Sequence, residues 1–186
     1  IVAGSLQRAT RDQTARLLDR ADCEGVELPI EGPLDEAVRQ ADEALRSGKH
    51  CVVWSGAVEG GTSGSAAYPA LPEPMLTRLR VQLLSFVRSV VVDSRVPLAG
   101  VILAGGATAD LALRDALGVT RLSSLGWMCE GVTMALALDG YRPGLPIVTK
   151  SGGWGLSDAL CDAVDRLIAW RCTQPLPNSL DRTSTS

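Results

Sequence analysis

Apolar residues along this chain follow two alternating rhythms. Short apolar stretches at residues 1–3, 26–29, 50–54, 99–104, 119–122, 132–138 and 146–149 read as strands, and several of the segments between them repeat their apolar residues at helical spacing. Thr10 is placed to cap a helix that turns Leu17, Leu18 and Ala21 inward. Pro33 opens a second helix, in which Leu34, Ala37, Val38, Ala41 and Leu45 form one stripe before Gly48 ends it. Residues 75–95 read as a long helix whose end, Val90-Val91-Val92, is strand-like in composition; 108–117 reads as a shorter one. A last helix, capped by Ser157 or Asp158, buries Leu160, Val164, Leu167 and Ile168. Strands alternating with helices predict an α/β fold: a mainly parallel sheet with helices on both faces, three layers in all (α/β/α), and a ligand crevice at the carboxyl ends of the strands. The segment 56–74, rich in Gly, Ser, Ala and Pro, reads as a long loop of the kind that serves as a lid or mobile excursion.

Two strand-to-helix junctions carry glycine clusters, Gly105-Gly106-Ala107-Thr108 and Ser151-Gly152-Gly153-Trp154-Gly155. A helix start leaves backbone N–H groups unpaired and partly positive, and glycine lets an anion approach the main chain, so the pattern suits phosphate binding. Each turn alone also suits an ordinary strand-to-helix connection. With Gly4-Ser5 the two turns are expected at one edge of the sheet. The segment Gly56-Ala57-Val58-Glu59-Gly60-Gly61-Thr62-Ser63 has P-loop glycine spacing, but Thr62 stands where that motif needs lysine.

Composition narrows the partners. A 186-residue chain can bury a sizeable core. Its net charge of −3 and the lack of a basic run among its few aromatics give nucleic-acid binding little electrostatic support. The five cysteines are scattered singly, and His50 is the only histidine, so free thiols in a reducing, cytoplasmic compartment are expected rather than disulfides or a metal site. No apolar stretch is long enough for a membrane span and no leader pattern opens the chain. The chain begins inside an apolar run with no initiator methionine, as expected for a piece of something longer.

Taken in order, Gly4-Ser5 with Thr10 and Gln13, then Leu103-Ala104-Gly105-Gly106-Ala107-Thr108-Ala109, then Lys150-Ser151-Gly152-Gly153-Trp154-Gly155 resemble the C-terminal, nucleotide-binding domain of the four-carbon acid sugar kinase family. The likeness runs over roughly residues 1–171, with Glu130-Gly131-Val132 matching a similar stretch. It implies a nucleotide-binding domain over residues 1–172, followed by a disordered tail at 173–186. The acceptor site belongs to an N-terminal domain with no counterpart in this sequence. It further implies an ATP- and Mg²⁺-dependent kinase that phosphorylates a terminal hydroxyl of a threonate, erythronate or 3-oxo-tetronate type of acid. Ser5, Gly105, Gly106, Ala107, Thr108, Gly152 and Gly153 are the implied nucleotide contacts, and a homo-oligomer is compatible with the resemblance. Lys150 reads equally as an added positive charge or as a solvated lysine at a strand end.

Departures from the family pattern are informative. Ala107 stands where Asp or Glu is common, Gln7 where a second serine is usual, and Trp154 replaces a common phenylalanine. Losing the carboxylate removes a ligand for Mg²⁺ or its water shell. A degenerate, non-catalytic module that binds a nucleotide or phosphorylated metabolite is therefore the rival reading, and a structural or oligomerisation domain the third. His50 reads as a structural or surface histidine, the tryptophans as core or interface residues with Trp154 the one placed to cover a base or sugar, and Asp12, Asp35, Glu36, Asp110 and Asp158 as acids placed in first helical turns.

Overall fold

The computed structural model describes residues 1–5, 7–55, 72–94 and 96–174. Its strands are β1 (Val2–Ala3), β2 (Cys23–Leu28), β3 (His50–Ser55), β4 (Val101–Ala104), β5 (Leu122–Cys129), β6 (Val132–Ala137) and β7 (Pro146–Lys150). The helices are α1 (Arg8–Leu18), α2 (Asp35–Arg46), α3 (Glu73–Val87), α4 (Gly106–Leu111) and α5 (Ala159–Thr173). One seven-stranded sheet runs β2-β3-β1-β4-β7-β6-β5. The β2-β3-β1-β4-β7 part is parallel; β6 and β5 extend it antiparallel beyond β7. This is the expected three-layer α/β/α architecture with a mixed, mostly parallel sheet.

The two-residue period of the strands divides the core. Val53, Leu103 and Ile147 face α2, α3 and α4 in a layer anchored by Phe86, whereas Val52, Ile102 and Val148 face α1 and α5 through Leu17, Leu160 and Val164. Alternation disappears from these strands because both faces are covered. On α2, Ala37, Ala41 and Ala44 lie on the buried stripe, while Arg39 bridges Glu36 and Glu43 on the solvent side.

Several expectations change. Helix α1 starts at Arg8, so Thr10 lies inside it and is no cap, and Ala21 falls beyond its end. The expected long helix does carry through the valines of 90–92: a π-helical turn, Arg88–Asp93, continues α3 and buries Val90 and Val91, so packing overrides their strand propensity. A second π-helical turn, Ala112–Ala116, continues α4, which itself begins at Gly106. No strand forms at 119–121; the strand there is β5, from Leu122 onward. Asp12 and Asp110 sit beyond the first turns of their helices and pair with Arg8 and Arg114 instead, so the helix dipole does not explain them. Asp35 and Glu36 do lie in the first turn of α2, and Asp158 occupies the N-cap position of α5. The segment 56–71, including the P-loop-like glycines, and the tail 175–186 lie outside the described residues. Among the described residues no helix is long and apolar enough to cross a membrane.

Candidate functional site

Strands β1 and β4 are neighbours, yet the helices that follow them leave to opposite faces, α1 toward the layer of Leu17 and α4 toward the layer of Ala109 and Ala112. Such a divergence opens a crevice at the carboxyl ends of the strands. Ser5 follows β1 there, Gly105 follows β4, and Gly152 follows β7 on the next strand.

A cleft of about 690 Å³ occupies this position, within the range of small-molecule sites. Ser5, Gly105, Gly106, Ala107, Thr108, Gly152 and Gly153 all line it, so residues up to 148 positions apart meet on one surface. The opposite wall is α3, which contributes Leu76, Leu79, Leu83 and Arg80; Gly4, Gln7, Ser55, Asp110 and Leu111 complete the lining. The α3 wall was not foreseen, although Leu76, Leu79 and Leu83 stand at helical spacing in the sequence. Arg80 is exposed, with Nη1 3.4 Å from Glu73 Oε1. A smaller cavity of about 270 Å³ lies at the other edge of the sheet and is lined mainly by aliphatic side chains such as Val91 and Leu167.

The turns are fitted to one another. Gly105 adopts φ +114°, a conformation that side chains disfavour, and a Cβ there would lie 2.9 Å from that of Ser5. A Cβ on Gly152 would stand 2.7 Å from Ser5 Oγ. By contrast, a Cβ on Gly106 or Gly153 would meet nothing within 4 Å, so these two leave open space beside the backbone. Gly106 and Ala107 are exposed at the start of α4, whose first-turn amides have no partner one turn back. Thr108 is 5 % exposed, and its Oγ1 packs close to Gly4. Gln7 donates its backbone N–H to Ser5 Oγ at 3.3 Å.

Beneath the second turn lies a polar network. Thr10 Oγ1 donates to the carbonyl of Gly152 at 2.7 Å, and Lys150 Nζ reaches the same carbonyl at 3.2 Å and Thr10 Oγ1 at 3.3 Å. Gln13 Nε2 is within 3.3, 3.2 and 2.7 Å of the carbonyls of Trp154, Gly155 and Leu156. Lys150 and Gln13 are each 1 % exposed. Lys150 is thus neither solvated nor a cleft-facing charge, and burial holds its ammonium below the ordinary lysine value. Trp154 is 60 % exposed, stands over Gly131 at the β5–β6 hairpin and is not among the residues that line the cleft. His50 begins β3, at the far end from Ser55, with Nε2 3.7 Å from Asp22.

Among the described residues no three carboxylates, histidines or cysteines gather to hold a metal ion. Asp110 is the carboxylate on the cleft wall among those residues, and Arg114 Nε lies 2.6 Å from it. Glycine turns, a helix start and one arginine make a surface suited to an anion, while the leucines of α3 suit an apolar body.

The chain is similar in fold to a Bordetella bronchiseptica protein described as a domain of unknown function, DUF1537, whose crystals hold bound citrate and a domain-swapped dimer. In one crystal form the identity is 23 %, the TM-score 0.63, and the match covers 89 % of this chain and 40 % of that one. In a second form the values are 25 %, 0.62, 89 % and 38 %. A structure from Salmonella typhimurium LT2 matches at 18 % identity and TM-score 0.60, over 87 % of this chain and 38 % of its own. The chain therefore spans about two fifths of the length of these relatives. No curated protein matches it. The model of the nucleotide-binding C-terminal domain matches residues 1–160, which hold all seven strands of the sheet and both glycine turns, and the chain belongs to that family.

Proposed function

We propose that this chain is the nucleotide half of an ATP-dependent kinase that phosphorylates a four-carbon sugar acid, of threonate, erythronate or 3-oxo-tetronate type, on a terminal hydroxyl. The observation that carries the reading is the convergence of Ser5, the Gly105–Thr108 turn and the Gly152–Gly153 turn on one cleft of about 690 Å³ opposite an apolar helix wall. In this reading the exposed amides of Gly106 and Ala107 and the backbone at Gly153 take the phosphates, and Arg80 offsets their charge. Leu76, Leu79 and Leu83 cover the nucleoside. Phosphoryl transfer depends on position and charge neutralisation, so a cradle closing against a separate acceptor domain divides the work sensibly. Mg²⁺ would travel mainly on phosphate oxygens and water, with Asp110 as the carboxylate nearest to hand. The free thiols of Cys23, Cys51, Cys129, Cys161 and Cys172 fit a cytoplasmic setting, and the domain-swapped dimer of the Bordetella protein motivates a test for a homo-oligomer here.

Ala107 favours one second reading, a binding module without turnover, because its exposed position at the start of α4 offers no carboxylate to a metal. Calorimetric titration with Mg-ATP, ADP and adenosine tests the site: micromolar-to-millimolar binding of the nucleotides, weakened by Gly106→Val and Gly153→Val in folded protein, is expected. Absence of nucleotide binding to the parent chain overturns the reading. Phosphorylation of threonate or erythronate by the protein that contains this chain with its acceptor domain separates kinase from binding module.

A further inference from the structure

A planar trans peptide directs its carbonyl and the following N–H to opposite sides. The carbonyl of Gly152 is drawn into the protein by two buried donors, Thr10 Oγ1 at 2.7 Å and Lys150 Nζ at 3.2 Å. The N–H of Gly153 therefore points the other way, on a residue that lines the cleft and has open space where a side chain would be. One residue further on, the carbonyls of Trp154, Gly155 and Leu156 all turn toward the single amide nitrogen of Gln13. The next amide, that of Trp154, closes the turn on the Ser151 carbonyl at 3.3 Å, so the Gly153 N–H is the one left facing outward, in a turn held by side chains of α1 and by the last residue of β7.

We infer that Thr10, Lys150 and Gln13 are positioning residues, which act through the backbone of the Gly152–Leu156 turn to aim the Gly153 amide at a phosphate group of the nucleotide. The inference rests on the nucleotide reading of the cleft. Lys150 does not touch the phosphate; it holds the peptide that does. A neutral, shape-matched side chain in its place leaves the Gly152 carbonyl with one donor instead of two, and the peptide is freer to rotate. Affinity for the phosphate-bearing ligand then falls while affinity for the nucleoside stays.

The test uses ¹⁵N-labelled chain titrated with ADP and, separately, with adenosine, in the parent and in Lys150→Met, Thr10→Val and Thr10→Ser. In the parent, ADP and not adenosine is expected to shift the Gly153 amide. Lys150→Met is expected to weaken ADP binding by about tenfold or more, the scale of a hydrogen bond to a charged group, with adenosine affinity changed by less than about twofold. Thr10→Val is expected to weaken ADP in the same selective way, and Thr10→Ser, which keeps the hydroxyl, to restore it. The inference is overturned if ADP and adenosine weaken together, if the folded variants bind ADP like the parent, or if Gly153 stays unmoved while ADP binds. A parent chain that binds no ADP sinks the nucleotide reading itself, a result told apart from the others before any variant is made.

Discussion

The hydroxyl oxygen of Ser5 lies 2.7 Å from the point where a β-carbon on Gly152 would stand, whereas its neighbour Gly153 has nothing within 4 Å of that point. Adjacent glycines in one turn thus answer to different demands. Gly152 lets the first and third turns pack together, and Gly153 keeps the cleft open. Gly152→Ala is expected to turn the Ser5 hydroxyl aside and destabilise the domain by about 1 kcal/mol, the low end of overpacking costs, lowering its melting temperature by a few degrees. Gly153→Ala is expected to leave melting nearly unchanged and to weaken nucleotide binding. Thermal melting with and without ADP checks both, and equal melting losses in the two variants would contradict the distinction.

Arg80 stands on the α3 wall of the cleft, exposed and paired with Glu73 at 3.4 Å. If it faces phosphate, Arg80→Gln weakens ATP and ADP by roughly three- to tenfold and spares adenosine. The salt dependence of ATP affinity also becomes shallower in the variant. Titrations at two ionic strengths decide the matter; an unchanged salt response would remove Arg80 from the site.

His50 gives the domain a pH response unrelated to the cleft. Burial holds its imidazole below the ordinary value of 6.5, against the pull of Asp22, and a nearby Arg20 adds to the lowering. Between the native value and 6.5 the unfolded chain binds a proton that the native chain does not, so stability falls as the pH drops through that window. Replacing His50 with Gln is expected to flatten this part of the curve. Melting temperatures from pH 7 to 5 provide the measurement, and parallel curves for parent and variant would refute it.

Asp139 has the opposite character. Its carboxylate accepts hydrogen bonds from the Thr120 hydroxyl at 2.6 Å, the Thr120 amide at 2.8 Å and the Arg121 amide at 3.1 Å, which hold it well below the usual carboxylate range. A depressed acid stabilises the fold above its unfolded pKa and loses that contribution as pH falls toward the native one. Asp139→Asn is therefore expected to lower stability at neutral pH and to make the acid limb of unfolding less steep. Acid titration followed by circular dichroism reads both.

Local pattern carried much of the fold. The stripes of α2 and α5 and the apolar runs of β4 and β7 were legible because each element's burial follows from its own spacing. Strand β5 was not legible: Ser123, Ser124 and Gly126 interrupt it, its register shifts beside Gly126, and as an edge strand it is largely exposed. Thr10 passed for a helix cap because Ser and Thr ordinarily serve that purpose locally, but its partner is a carbonyl 142 residues away. Lys150 misled for a similar reason, since nothing near it in sequence reveals that it is buried. The glycine turns were visible as a set. Which glycine yields to a neighbour and which leaves space was decided by Ser5 and by three strands meeting side by side.

The cleft has no local owner. Its floor is made where β1, a strand of two residues, is wedged between β3 and β4, and where β4 meets β7. No contiguous segment can form this surface alone, so it exists only once the middle of the sheet has closed. A ligand held there selects the whole assembled domain over the unfolded chain. Its free energy of binding then appears as protection of those amides that exchange by global unfolding, wherever they lie in the sheet, and in β2 their hydrogen exchange should slow as much as that of such amides beside the glycine turns.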